Sequence, residues 1–484
     1  MRKLLLTTLA SVGIVAVGEV AQAQTAASPA PGTITVRLNG RYRFFAAIVN
    51  DRDLENNVAG SNTGLTPLRG TNKTADYQFG NYARLFPGFD GVAANGLKYG
   101  ASLEIRQDNN SGAGGGQFGS ISQQSRARNS LYYQNAWGYL GTDQLGTIRI
   151  GSTDGPTSLY MTGNFEDFDS GGWNGDHPGF LVPAAQITWP FADVGNLNTG
   201  TKAVYLSPQL FGFDFGVSFE PNTGNGNLNS NCGSATFQAA NFINAAGAFT
   251  TASGANATGA VGPGCDRLSS SPNNGESQRR RNTFEGLLRY RGTFAGVGVA
   301  VTGAYIGSAN VKDNSGLPFS NTFGAGPNGA EPRFQFEGLS VGDFGVAMTY
   351  GGLSVGGKYQ FGRFNGSWGP AARGITGGEA WLAGASYTTG PFVVGAHYVD
   401  YKSAGDLSNA VLGRQSRERG LAVGSTYSLA PGLSVFASYL YSQRKQNGLN
   451  LVTGQGVTAG NQAGTLSNNK VIGSLVAIGT SFQW

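Results

Sequence analysis

The sequence predicts an all-β protein, a transmembrane antiparallel barrel of about sixteen strands, and three observations carry that expectation. Apolar and polar residues alternate with a period of two along most of the chain. The alternating runs come in pairs joined by very short turns, and long loops rich in Gly, Asn and Ser separate the pairs. Beyond residue 23 no stretch approaches the ~18 consecutive apolar residues of a membrane helix, so any span must be β.

The chain opens with Arg2 and Lys3, an apolar run from Leu4 to Val17 and the small-residue pattern Ala21-Gln22-Ala23. This marks residues 1–23 as a secretory signal peptide and 24–484 as one barrel domain of an exported protein. Composition agrees: 78 of 484 residues are Gly and only 13% are charged, while helical periodicity is missing. Removing Arg2, Lys3 and Glu19 takes one unit from the formal charge of +5, and the remaining basic residues are scattered, which argues against a nucleic-acid surface.

In the first strand, residues 33–49, Ile34, Val36, Leu38, Tyr42 and Phe44 fall on one face and Thr35, Arg37, Asn39, Arg41 and Arg43 on the other. A soluble sandwich seldom places three arginines on alternate positions of one outward face, whereas a water-filled lumen accommodates them. Hairpins are expected near 77–107, 129–151, 200–220, 282–305, 340–363, 379–401 and 419–445, and a last strand at 470–484. Sixteen strands result, with eighteen the alternative count. In the hairpin at 340–363, Phe344, Val346, Met348, Tyr350, Leu353, Val355, Tyr359 and Phe361 form an apolar outer stripe across the turn at Gly351-Gly352.

The connections are asymmetric, short within hairpins and long between them, as at 51–75, 108–127, 221–281 and 306–338. Trp137, Tyr139, Tyr350, Tyr387 and Tyr427 lie beside the short turns, where an aromatic girdle at the membrane interface is expected. The final strand carries Ile472, Val476, Ile478, Phe482 and Trp484 on one face, and pairing with the first strand would remove its exposed edge. Cys232 and Cys265 share one polar stretch of an exported chain, and a disulfide between them is expected.

L-N-G-R-Y at 38–42, N-A-W-G-Y-L-G-T-D-Q-L-G-T-I-R-I-G at 135–151, A-V-Y-L-S-P-Q-L-F-G-F-D-F-G-V-S-F at 203–219 and the terminal S-F-Q-W together resemble the general-diffusion porins of Gram-negative bacteria. The resemblance implies a sixteen-stranded barrel in the outer membrane, in contact with its lipid and lipopolysaccharide and usually a homotrimer, that passes small hydrophilic solutes and ions without a cofactor. It also implies that the third long loop, 152–199, folds inward and narrows the pore. That loop holds Asp154, Glu166, Asp167, Asp169, Asp176 and His177. In such porins acidic residues of the loop face basic residues of the wall, here Arg37, Arg41, Arg43, Arg106, Arg149 and Lys358 by strand phase. Glu166, Asp167 and Asp169 are the acidic candidates, with a solvated loop or a fortuitous calcium site as alternatives. The long loops 221–281 and 306–338 depart from compact members of that family and are long enough to fold over the mouth.

Other classes fit less well. An enzyme is not expected: His177 and His397 are the only histidines, with no identifiable serine nucleophile near them in sequence and no spaced partners for a metal. G-A-G-G-G-Q-F-G at 112–119 lacks the Lys-Ser or Lys-Thr of a phosphate loop, and Arg279-Arg280-Arg281 reads as a solvated loop end. A β-solenoid adhesin would show a fixed short period, which is missing. A substrate-selective channel, or a plugged barrel serving as a surface receptor or adhesin, remains the alternative within the same fold.

Overall fold

Strict in-out alternation organises the first strand and, with it, the whole sheet. In the computed structural model, which describes residues 30–52, 77–108, 131–163, 168, 172–175, 177–192, 199–222, 242–243, 249–250, 281–309, 336–366, 368–369, 371–372, 376–405, 416–446, 451 and 469–484, sixteen strands close into one antiparallel barrel. In chain order they are β1 (Ile34–Arg52), β2 (Tyr77–Val92), β3 (Lys98–Asp108), β4 (Tyr132–Thr142), β5 (Gly146–Asp154), β6 (Thr199–Leu206), β7 (Phe213–Asn222) and β8 (Arg281–Phe294). They continue as β9 (Val297–Ala309), β10 (Ser340–Tyr350), β11 (Leu353–Arg363), β12 (Gly378–Thr389), β13 (Phe392–Ser403), β14 (Ser416–Ala430), β15 (Leu433–Gln446) and β16 (Lys470–Gln483). Each strand pairs with its neighbours in sequence, and β16 returns to β1, with Arg41 opposite Gln483 and Arg52 opposite Ile472. Beyond that seam the main chain of Trp484 exchanges hydrogen bonds of 3.0 and 3.2 Å with Gly40, whose missing side chain leaves room for the indole.

The outer face is apolar. Val36, Leu38 and Ile48 of β1 and Ile478 of β16 are 79%, 64%, 66% and 59% exposed, while the intervening Arg41, Arg43, Phe45 and Ala47 are buried inside. Water would penalise such a continuous greasy exterior, whereas lipid does not, and no edge is left to aggregate. None of the described helices is long and apolar enough to cross a membrane. The hairpin turns are tight: Ala295 and Gly296 both have positive φ (49° and 84°), the geometry whose twist matches paired strands.

Tyr350, Tyr387 and Tyr427 sit outward beside these turns, 65%, 49% and 44% exposed, as a girdle requires. Trp137 and Tyr139 do not join them. The register of β3 with β4 shifts at Glu104/Ile105, and Asn135, Trp137 and Tyr139 then point inward, leaving Ala136, Gly138 and Leu140 outside. The Tyr139 hydroxyl donates to Asp90 at 2.5 Å and Trp137 lies under Arg149, both inside the barrel. In this strand either face reads as apolar, so alternation alone did not fix the phase.

Candidate functional site

Between β5 and β6 the chain turns into the barrel. Phe168, Phe180 and Phe191 are fully buried although they belong to no strand, and Trp173, Leu181 and Trp189 are nearly so. Burying each such ring stabilises the docked segment by ~1.5–3 kcal/mol, which explains how a loop with little regular structure is held inside. The entry is stapled by Glu285 of β8, whose carboxylate accepts from the Thr157 amide at 3.4 Å and its hydroxyl at 3.1 Å. Glu285 and Glu220 share Lys202 at 3.6 and 2.9 Å behind it. At Gly163 (φ +85°) the segment lies directly on the carbonyl of Gly357, and Gly345 likewise meets the Thr162 carbonyl, so a side chain at either place would push the segment off.

From there the segment packs along β10 to β16, the second half of β1 at Phe45 and the start of β2 at Gln78. Thr426 donates to the Phe168 carbonyl at 2.9 Å, and the Trp173 indole donates to the Leu421 carbonyl at 3.2 Å. His177 lies between the rings of Phe45 (5.2 Å) and Phe436 (5.6 Å), with the Ser438 hydroxyl 2.7 Å from its Nδ1. On the return, Ser442 donates to the Ala185 carbonyl at 2.6 Å, Arg444 to that of Ala184 at 3.2 Å and Gln360 to that of Pro190 at 2.9 Å. Glu418 accepts the Thr188 amide at 2.5 Å and Arg444 at 3.2 Å. Phe168 and Trp189 flank His397, each with ring centroids 5.7 Å away. Both histidines are thus supports for the inward segment.

The opposite half of the wall carries the arginines. Arg41, Arg84 and Arg106 are direct cross-strand neighbours on β1, β2 and β3. Three like charges side by side disfavour one another, and the wall moderates this with rings. The Tyr82 ring lies 4.5 Å from the Arg84 guanidinium, 5.4 Å from that of Arg41 and 5.8 Å from that of Arg43. Arg37 pairs with Asp90 at 2.5 Å and Arg106 with Glu104 at 2.6 Å. Arg149 makes no ion pair among the described residues and rests 4.3 Å over Trp137. On β8, Arg289 and Arg291 both reach Asp214 of β7 at 2.8 Å, and the Arg289 guanidinium caps the Tyr160 ring at 3.9 Å. Burial pushes the Tyr160 phenol up, Asp214 adds to the shift and Arg289 opposes it, so the ring stays neutral and its hydroxyl donates to the Ser207 carbonyl at 3.3 Å.

Of the residues expected to line a pore, Arg37, Arg41, Arg43, Arg106 and Arg149 all face inward on this one half. Lys358 also faces inward but stands beneath the segment, paired with Asp343 at 3.2 Å, both side chains 1% exposed, with the Phe191 ring 6.0 Å away. Glu166, Asp167 and Asp169, the cysteines Cys232 and Cys265, and most of the loops 221–281 and 306–338 lie outside the described residues. Arg84, Arg289, Arg291 and Asp214 were missed by sequence reasoning. Alternation in β2 is weak, but the run F-D-F-G-V-S-F at 213–219 does put Asp214 on the inner face.

A closed barrel with a lipid-facing exterior, a charged interior and a segment folded into its lumen defines a transmembrane channel-forming β-barrel. The chain belongs to the Gram-negative porin family, whose profile matches residues 8–447. It is an outer-membrane porin channel. Among solved structures it is similar to the anion-selective porin from Comamonas acidovorans, at 15% identity and a TM-score of 0.47 over 93% of this chain and 100% of that one. OmpT of Vibrio cholerae in its trimer form gives 12% identity and a TM-score of 0.47 over 93% and 99%. A Rhodopseudomonas blastica porin variant gives 12% identity and 0.44 over 93% and 100%. At these values no residue's role is carried across. A comparison with curated proteins gives no match.

Proposed function

We propose that this porin passes small hydrophilic solutes through the gap between the inward segment and the arginine half of the wall, and that it favours anions. The observation that carries the reading is the row Arg41, Arg84 and Arg106 on adjacent strands, with Arg37, Arg43 and Arg149 beside it. Low-dielectric walls focus the field of such a row into the gap, and arginine keeps its charge at every working pH. Weak contacts to a succession of guanidinium groups let an anion enter and leave, which a single tight site would prevent. Glu166, Asp167 and Asp169 supply the facing negative charge in this reading. No step of covalent chemistry is involved.

The same reading has the protein exported by cleavage after Ala23, assembled as a homotrimer and surrounded by outer-membrane lipid. The test is single-channel recording in a planar bilayer under a salt gradient. Stepwise openings in threes with a reversal potential on the anion side are expected from the folded protein. An ideal cation reversal potential would overturn the anion preference, and a purely monomeric band in unheated detergent gels would overturn the trimer.

A further inference from the structure

Trp137 and Tyr139 stand where a water-filled wall has least reason to place large rings. Each keeps part of its surface open, and by the phase of β4 that surface faces the lumen and not lipid. An indole gains more at a membrane interface than in water, so an inward pair this close to a short turn calls for a planar partner in the lumen. Among the described residues the ring and cation neighbours of Trp137 are Tyr139, with centroids 5.9 Å apart, and Arg149, whose guanidinium lies 4.3 Å from the indole.

The wall around the pair is kept low. Level with Trp137 on the neighbouring strands are Ser102 and Gly151, and level with Tyr139 on β3 is Gly100. A Cβ on Gly100 would fall 2.6 Å from the Tyr139 ring, so that ring lies down across β3 instead of standing into the lumen. Likewise a Cβ on Gly88 of β2, level with Ser102, would fall 3.2 Å from an Arg37 nitrogen. Arg37 and the Tyr139 hydroxyl both hold Asp90 at 2.5 Å, which fixes cation and ring together. At the other edge Arg149 makes no ion pair among the described residues, and Asp154, further along β5, accepts from the Thr199 hydroxyl at 2.6 Å. Indole and phenol thus form a flat platform with a guanidinium at each edge. Ser102 lies four residues along β3 from Arg106, which sets the platform roughly 13 Å from the arginine row, toward the short turns.

We propose that this platform binds aromatic carboxylates and makes them a preferred class of permeating anion. The inference rests on the anion preference proposed above and narrows it. A benzoate-type anion is one rigid plane with its charge at the edge. Stacked on the Trp137 and Tyr139 faces, it turns its carboxylate to the edge of the Arg149 guanidinium, whose N–H groups point sideways because its own face rests on the indole. An aliphatic carboxylate of equal charge and bulk meets the same cation but cannot lie flat on the rings. The platform is open and shallow, so the anion is released as readily as it is taken up, as permeation requires. Ring-backed guanidinium groups recur on the same half, Arg84 at 4.5 Å from Tyr82 and Arg289 at 3.9 Å from Tyr160, and extend the path for such an anion.

The test uses the full-length protein in planar bilayers in potassium chloride at neutral pH, with benzoate and cyclohexanecarboxylate, both ionised and similar in bulk, as probes. Benzoate should reduce the chloride current at a concentration about threefold to tenfold lower than cyclohexanecarboxylate, the range that ring stacking adds to burial of equal area. Trp137→Leu should bring the two anions together and Trp137→Phe should restore part of the difference, while Tyr350→Leu, which removes an outward ring, leaves it unchanged. Arg149→Gln should weaken the block by both. Equal block by the two anions in the unmodified protein would overturn the proposal without any variant having to fold, and so would a benzoate preference that survives Trp137→Leu. A cation-side reversal potential in a potassium chloride gradient overturns the anion preference and this proposal with it. An anion-side potential with equal block by the two acids refutes the platform alone and leaves the anion preference intact.

Discussion

The two halves of the inner wall solve the problem of buried charge in opposite ways. On β10 to β16 the cations are closed off: Lys358 has one carboxylate and a ring over it, and Arg444 is held between Glu418 and a loop carbonyl. On β1 to β5 three guanidinium groups crowd one tyrosine, and Arg149, which makes no ion pair among the described residues, rests on an indole. The first arrangement is structural, because removing either partner leaves an uncompensated charge in a dry place. The second gathers several guanidinium groups of one sign into a single field, although Arg41 and Arg43 are themselves only 3% and 6% exposed. Facing inward does not by itself make a residue part of the pore, since the inward segment covers some inward side chains, Lys358 among them.

This contrast can be broken most forcefully at Asp343. Asp343→Ala leaves Lys358 buried without its partner and should destabilise the barrel by ~3–5 kcal/mol, read as a lower urea midpoint in detergent. Phe168→Ala removes a fully buried ring of the segment and should weaken its docking by ~3 kcal/mol. Single channels should then show larger and noisier conductance, and unchanged traces would mean the segment is not held by its rings. On the other half, Arg41→Ser with Arg84→Ser and Arg106→Ser should lower the urea midpoint less than Asp343→Ala does while moving the reversal potential toward cations, and replacement of Arg37, Arg41 and Arg43 by Ser should shift selectivity the same way. An unmoved potential would place the permeation path elsewhere. The smallest effect is expected at Arg37→Ser, where a pair about one-fifth exposed contributes no more than ~1 kcal/mol.

Much of this barrel was legible because a lipid-facing strand obeys one simple rule. The alternation of Ile34, Val36 and Leu38 with Thr35 and Arg37 gave the phase of β1, and the tight turns gave the pairing. The rule failed where both faces are apolar, as at Trp137 and Tyr139, and where a bulge resets the phase. The inward arginines of β1, β3 and β5 follow from phase alone. The covering of Lys358 does not, because it depends on Phe191, a residue 167 positions earlier in the chain that reaches it only through the path of the segment. Density of Phe and Trp between residues 165 and 191 is the one sequence feature that announces a loop with its own buried face.

That segment is gripped largely by its main chain. Thr426, Ser442, Arg444, Gln360 and Gln78 all donate to carbonyl oxygens of the segment, atoms that every residue type provides alike. The barrel therefore acts as a rail for a ribbon whose lettering it does not read between the anchoring rings. Substitutions on the side of the ribbon that looks across the gap can retune what permeates without loosening the grip, so permeability and foldability are separable traits in this architecture and can diverge independently among its descendants.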